Sequence, residues 1–290
     1  MMMSFTSRYL RTVMLCLVFF FASQLPADDT GFRLVESTGV DDVLPFEEDD
    51  QRAYLYYTGH AGGAICLGDL DGDGLVDLYF SRALQNNAVY LNRTKWKFEK
   101  KSGPFADGDA WGTGATLVDL DSDGDLDICQ VNYDAPNQVF LNDGKANFQE
   151  VKDAFGLGIA DASLTVSFAD ADNDGDLDAF LLCNTYFRAK GRPQEPPFEM
   201  KDGKPVPKPG FEKHYQMVRD RTTGKWQMDE YGRRDYFFLN VGTRTKPRFR
   251  DVSQASGLCD FGFGLSCVWW DYNNDGLVDL SVSNLSLIHI

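Results

Sequence analysis

Histidine is scarce in this 290-residue chain, which holds only His60, His214 and His289. The motifs G-x-S-x-G, H-E-x-x-H and C-x-x-C are absent, so three common signatures of nucleophilic, zinc and thiol-redox chemistry are missing. Positive charge is also in short supply. Twenty-eight Lys and Arg face 44 Asp and Glu, for a formal net charge of -16. No basic face offsets the acid, which argues against a nucleic-acid partner. A transmembrane helix needs about 20 apolar residues, and no run beyond the N-terminus approaches that length. Cysteine is sparse and unevenly counted. Cys66, Cys129, Cys183, Cys259 and Cys267 follow the first 27 residues, an odd number that gives no disulfide framework. Four of them lie in strand-like runs and read as small buried hydrophobes. The spacing leaves a Cys259–Cys267 pair open.

The N-terminus has the layout of a secretory signal over 1–27. Arg8 and Arg11 precede an apolar stretch at 13–22, and Ala27 offers a small residue at a cleavage point. An uncleaved anchor is the other reading of that stretch. A secreted, periplasmic or cell-surface location is therefore expected.

What the chain has in abundance is aspartate in a fixed pattern. The stretches 69–77, 119–127, 170–178 and 271–279 each read D-x-[DN]-x-D-G-x-x-D, and together hold seventeen aspartates. The acidity is thus local and periodic. Five carboxylates within nine residues at 119–127 repel one another unless something positive sits among them. Hard oxygen ligands on a tight glycine-containing loop suit Ca²⁺, at roughly 2.3–2.6 Å per ligand. An EF-hand would need Glu at the twelfth position, where this chain has Phe80, Gln130, Leu181 and Val282. The last ligand comes instead at the ninth position, just before an apolar run, so each loop is expected between two β-strands. The expected ligands are positions one, three, five and nine. These are Asp69, Asp71, Asp73 and Asp77; Asp119, Asp121, Asp123 and Asp127; Asp170, Asp172, Asp174 and Asp178; and Asp271, Asn273, Asp275 and Asp279. The seventh residue would give a backbone carbonyl. Leu75 and Leu277 stand there in two loops, so the Asp125 and Asp176 side chains are expected to face solvent. Asn273 removes one charge from the fourth loop, which should bind more weakly. Asp-Gly turns without metal are the plainer alternative.

The loops begin at 69, 119, 170 and 271, spacings of one, one and two periods of about 50 residues, the mark of a propeller or other repeat array. Around each loop four short strands can be read. One ends at the loop and one leaves it. A third ends in Leu-Asn (Asn92, Asn142, Asn240), and a fourth begins at Phe98, Phe148 and Phe249. Four strands per unit make one propeller blade. The stretch at 32–40 resembles an isolated fourth strand, and 284–290 stops after the second strand of the fourth unit. The expectation is an all-β, incomplete (truncated) β-propeller at 28–290 whose open edges favour aggregation. The third unit carries about 47 extra residues at 184–235, with 12 Lys and Arg, 8 Asp and Glu, and six of the 11 prolines. That composition predicts an irregular surface excursion that tolerates deletion. Within it Trp226, Tyr231, His214, Arg233 and Arg234 offer a contact surface.

The run 111–119 into the second loop, with the counterparts at 60–64 and 261–266, resembles the FG-GAP/VCBS repeats of integrin-α-like propellers, and most of all their secreted bacterial branch related to cartilage acidic protein, which often carries an ASPIC/UnbV domain. The resemblance covers about 32–284 apart from the insertion. It implies a seven-bladed propeller with Ca²⁺ in the blade loops, whereas this chain shows about four units. The function implied is a secreted binding or adhesion module for a protein or glycan. The repeated aspartates are unsuited to a unique catalytic pair, so no catalytic residue is expected. The alternative is an extracytoplasmic enzyme with its chemistry in the insertion or in further C-terminal sequence.

Overall fold

The computed structural model describes residues 35, 37–41, 55 and 62–284, apart from 84, 95, 106–109, 189, 191–192, 221 and 260. The signal segment at 1–27, much of the strand expected at 32–40, and His60 and His289 lie outside the described residues. The chain divides into two units, 1–39 and 40–290. Every element below belongs to the second.

The strands fall where the repeat places them. β1 (Gly63–Gly68), β2 (Asp77–Arg82), β3 (Ala88–Thr94) and β4 (Lys97–Lys101) form an antiparallel sheet in sequence order, the first blade. The second blade is β5 (Trp111–Val118), β6 (Asp127–Pro136), β7 (Gln138–Leu141) and β8 (Gln149–Glu150). The third opens with β9 (Ala160–Ala169) and β10 (Asp178–Cys183). Then come β11 (Phe198–Lys201) and β12 (Lys204–Pro207), a hairpin; β13 (Tyr215–Arg219) and β14 (Trp226–Glu230), a second hairpin; and β15 (Arg233–Arg234). The third blade is completed by β16 (Tyr236–Asn240) and β17 (Phe249–Asp251). A short helix, Ser253–Ser256, ends on Gly257 in the left-handed conformation (φ 77°), which glycine adopts without a Cβ clash. After it come β18 (Phe261–Gly262), paired with β15, and the hairpin of β19 (Gly264–Trp270) with β20 (Asp279–Asn284). The fold is all-β. Among the described residues it contains three four-stranded blades and two strands of a fourth.

The aspartate loop fixes the register of each blade. The residue before the loop pairs with the ninth aspartate in all four: Gly68 with Asp77, Val118 with Asp127, Ala169 with Asp178 and Trp270 with Asp279. Because side chains alternate across a strand, equivalent positions then face the same neighbour. In β5, Ala115 and Leu117 pack toward the first blade, whereas Thr113 and Thr116 turn the other way and donate to the Ser163 and Val166 carbonyls of the third. In β9, Val166 and Phe168 pack toward the second blade, and Ser167 meets Cys267 and accepts from Trp269 Nε1 of the fourth.

The core therefore lies between blades rather than inside any one. Tyr79, Val89, Leu91, Phe105, Ile128 and Phe140 fill the space between the first and second. Cys129, Val131, Val139, Leu181, Phe238 and Phe249 fill the next. Phe180, Leu182 and Phe237 meet Trp269, Leu280 and Val282 in the last. A buried amide ties the first two blades together: Gln130 Nε2 donates to Ser81 Oγ and its Oε1 accepts from the Tyr79 hydroxyl. All five described cysteines are free thiols, including Cys259 and Cys267. Cys129 and Cys183 are buried, and burial pushes the Cys129 thiol up to about 12.

The insertion at 184–235 is less loosely attached than its composition predicts. Its two hairpins are largely exposed, but its base is bonded into the blades. Asp235 accepts from the Cys183 amide, Thr185 donates to the Tyr231 carbonyl, and the Phe187 amide donates to the Tyr133 hydroxyl. Arg233 forms a two-pronged ion pair with buried Asp161 at 2.6 and 2.9 Å, and the Tyr236 hydroxyl donates to the same carboxylate at 2.7 Å.

Candidate metal centre

Each loop is wound by its own first aspartate. Asp69 accepts from the Gly72 and Gly74 amides. Asp119 accepts from Asp123 and Gly124, Asp170 from Asp174 and Gly175, and Asp271 from Asp275 and Gly276. The sixth residue is glycine because the chain there runs at φ between 83° and 100°, where a side chain is strained. The fifth aspartate caps the seventh residue: Asp73, Asp123, Asp174 and Asp275 each accept from the amide two residues on.

The ninth aspartate has a second role that its spacing does not reveal. Asp77, Asp127 and Asp178 are fully buried. One oxygen of each accepts from the second residue of its own loop (Leu70, Leu120, Ala171), and the other from the Asn that ends strand three (Asn92, Asn142, Asn240), all at 2.7–3.0 Å. The repeated Leu-Asn motif was the signal for that clasp. In the fourth loop Asp279 accepts from the Tyr272 amide.

Three of the four loops gather carboxylates that each offer an oxygen within 4.8 Å of the others. The groups are Asp69, Asp71 and Asp77; Asp119, Asp121 and Asp127; and Asp170, Asp172 and Asp174. Asp73, Asp123 and Asp178 lie outside these groups, and among the described residues the fourth loop forms none. There Asn273 turns its amide to Asp275 at 2.9 Å.

The residues fit a cation. Asp71 Oδ1 and Asp121 Oδ1 are shut off from water with no hydrogen-bond partner, as are Asp125 Oδ1 and Asp176 Oδ1. Orphaned buried carboxylate oxygens are costly. Burial, followed by neighbouring carboxylates, raises the Asp121 carboxyl and takes Asp125 up to about 6. Burial lifts Asp127 to about 7 against the hydrogen bonds from Asn142 and Leu120. Asp176 reaches about 6 from burial first and then from Asp174 and Asp178. A positive ion among these oxygens reverses that strain. The expectation that Asp125 and Asp176 face solvent is corrected here, since both are half-buried and hide one oxygen. The turn after β7 lies beside Asp125, where a Cβ added at Gly144 would stand 3.2 Å from its Oδ2. Arg93 is a neighbour that the repeat pattern did not flag, for it stands beside only one loop: its Nη1 donates to Asp71 Oδ2 at 2.6 Å.

The FG-GAP-like repeat family matches this chain twice, over residues 69–130 and 119–181. Both matches begin on the first aspartate of a loop and end within the second strand of the next blade. Over 69–181 the chain is thus similar to FG-GAP-like repeats, a likeness that supports the propeller architecture described above. Among characterised proteins it is similar to Cartilage acidic protein 1 of Xenopus tropicalis, 26% identical over 155 residues. The match takes in 49% of this chain and 24% of the relative, so the chain spans about a quarter of that protein's length. No helix among the described residues is long and apolar enough to cross a membrane.

Proposed function

We propose that this protein is an extracytoplasmic β-propeller binding module for a protein or glycan, held in shape by Ca²⁺ in its aspartate loops. The observation that carries the reading is the repetition of one oxygen-rich loop at the same joint of each blade, with buried oxygens left without partners. Asp69, Asp71 and Asp77, Asp119, Asp121 and Asp127, and Asp170, Asp172 and Asp174 would hold the ions, which supply positive charge and no reaction chemistry. Repetition fits a structural role better than catalysis, where one site suffices. His214 Nδ1 lies 2.6 Å from the Tyr186 carbonyl, and Asp134 in the same cleft is paired with Lys213.

The insertion supports a binding role. Trp226, Met228 and Met200 are exposed on its hairpins. Of the contact residues named from the sequence, Arg233 and Arg234 are engaged with Asp161 and Asp251, and Tyr231 stacks on Phe261. The test is thermal unfolding of the full chain in Ca²⁺, in Mg²⁺ and in EGTA, followed by binding to immobilised glycans in the same buffers. Binding to the folded state stabilises it by about 2.7 kcal/mol per site at 100-fold excess over Kd. A marked rise in melting temperature with Ca²⁺ and little with Mg²⁺ is expected, since Mg²⁺ demands a smaller octahedral shell. Identical melting in all three leaves the aspartates as turn formers.

A further inference from the structure

The residue after the Leu-Asn motif sits beside the aspartate loop, because the Asn amide is bonded to the ninth aspartate in all three complete blades. That residue differs: Arg93 in the first blade, Asp143 in the second and Val241 in the third. Arg93 reaches into the first loop, with Nη1 on Asp71 Oδ2 at 2.6 Å and Nε on Glu99 at 3.1 Å. Asp71 is the third-position carboxylate, its side chain is 12% exposed, and its other oxygen has no partner. In the second blade the same place carries the opposite charge. Asp143 is spent on its own turn, accepting from the Lys145 and Asn147 amides and from Asn147 Nδ2. Its negative charge thus adds to the field of the loop, acting on Asp125, without joining the carboxylate group.

We propose that Arg93 is a built-in counter-cation that sets the order of Ca²⁺ affinity among the loops, making the second loop tight and the first weak, and that keeps the first loop assembled without metal. The proposal rests on the Ca²⁺ reading above. A fixed cation beside one ligand opposes a divalent ion through Coulomb repulsion, which is weakly screened where one partner is nearly buried. The same cation relieves the crowding of Asp69, Asp71 and Asp77 when no ion is bound. Among the described residues no cation is paired with a carboxylate of the second loop, and Lys145 acts on Asp143 rather than on the loop. Five aspartates of its own and Asp143 beside them leave it dependent on metal.

The test is calorimetric titration of the full chain with Ca²⁺ alone, beside melting in EGTA, for the unsubstituted protein, Arg93→Gln, Arg93→Lys, Asp121→Asn and the double variant Arg93→Gln/Asp69→Asn. Arg93 is 43% exposed, so the glutamine variant keeps the fold. The expected results are loss of the tightest step in Asp121→Asn and a gain of about tenfold or more in a weak step in Arg93→Gln, for a unit charge removed a few ångströms from the ion. That gain disappears in the double variant and is absent in Arg93→Lys. Arg93→Gln also melts lower than the unsubstituted protein in EGTA and recovers with Ca²⁺. If the unsubstituted chain binds Ca²⁺ but Arg93→Gln gives the same isotherm, or a weaker one, this proposal is overturned and the Ca²⁺ reading stands. If the unsubstituted chain takes up no Ca²⁺, the reading itself fails and the proposal with it.

Discussion

The ion pair between Arg233 and Asp161 offers the sharpest quantitative test of how the insertion is held. Asp161 lies at the start of β9 and is 1% exposed, while the Arg233 side chain is 26% exposed. Burial pushes the Asp161 carboxyl up, and hydrogen bonds from Arg233, Tyr236 and the Ala162 amide outweigh it and hold the group below the usual carboxylate value. Removing one partner of a buried pair costs about 3–5 kcal/mol, because the other charge is left uncompensated. Partial exposure of Arg233 places Arg233→Met near the lower end, at about 3 kcal/mol. At roughly 2–4 °C per kcal/mol for a chain of this size, the melting temperature should fall by about 6–12 °C. The double variant Asp161→Leu/Arg233→Met should cost less than Arg233→Met alone, since no charge remains buried. The pH dependence follows from the depressed carboxyl. Its contribution is complete above the unfolded value of about 3.9 and is lost as pH falls through the lower folded value. The gap between the unsubstituted protein and Arg233→Met should therefore be wide at pH 7 and close on acidification. Circular-dichroism melts at several pH values measure this. A fall of less than about 2 °C at pH 7, where roughly 6 °C is the least expected, or a gap that widens in acid, refutes the reasoning.

Three further outcomes are expected. At Gly112 an added Cβ would lie 2.7 Å from the Arg82 carbonyl and 2.5 Å from Ser81 Oγ, so Gly112→Ala should cost about 1–3 kcal/mol by overpacking, and a neutral melt would show that the first two blades can separate there freely. The Lys208 amide is bonded to the Pro197 carbonyl at the foot of the β11–β12 hairpin, so replacing 198–207 by two glycines should leave the melting temperature nearly unchanged. Removing all of 184–235, which takes Arg233 and Asp235 with it, should lower it sharply.

The blades were legible in the sequence because their determinants are local. Gly124 and its counterparts fix the loop bend, and the ninth aspartate fixes the strand register. The Leu-Asn pairs at 91–92, 141–142 and 239–240 mark strand three. The aspartate loops were legible as oxygen clusters for the same reason. Contacts made only once were not legible. Arg233 and Asp161 are 72 residues apart, and nothing in the neighbourhood of either announces the other. Arg93 escaped notice because its equivalents are Asp143 and Val241, so no periodic pattern singles it out. The Asp125 side chain was misjudged by comparison with Leu75, since the turn beside it joins strands three and four and is distant in sequence from the loop's own repeat.

The order of the strands separates the two rims of each blade. The aspartate loop joins strands one and two, and the turn after the Leu-Asn motif joins strands three and four on that same rim. The link between strands two and three lies at the opposite end, and there the third blade carries its extra hairpins. A lineage of such repeats can thus lengthen, shorten or recharge one rim without touching the oxygens of the other. New surface can be acquired by a single blade while the repeat that folds it is copied unchanged.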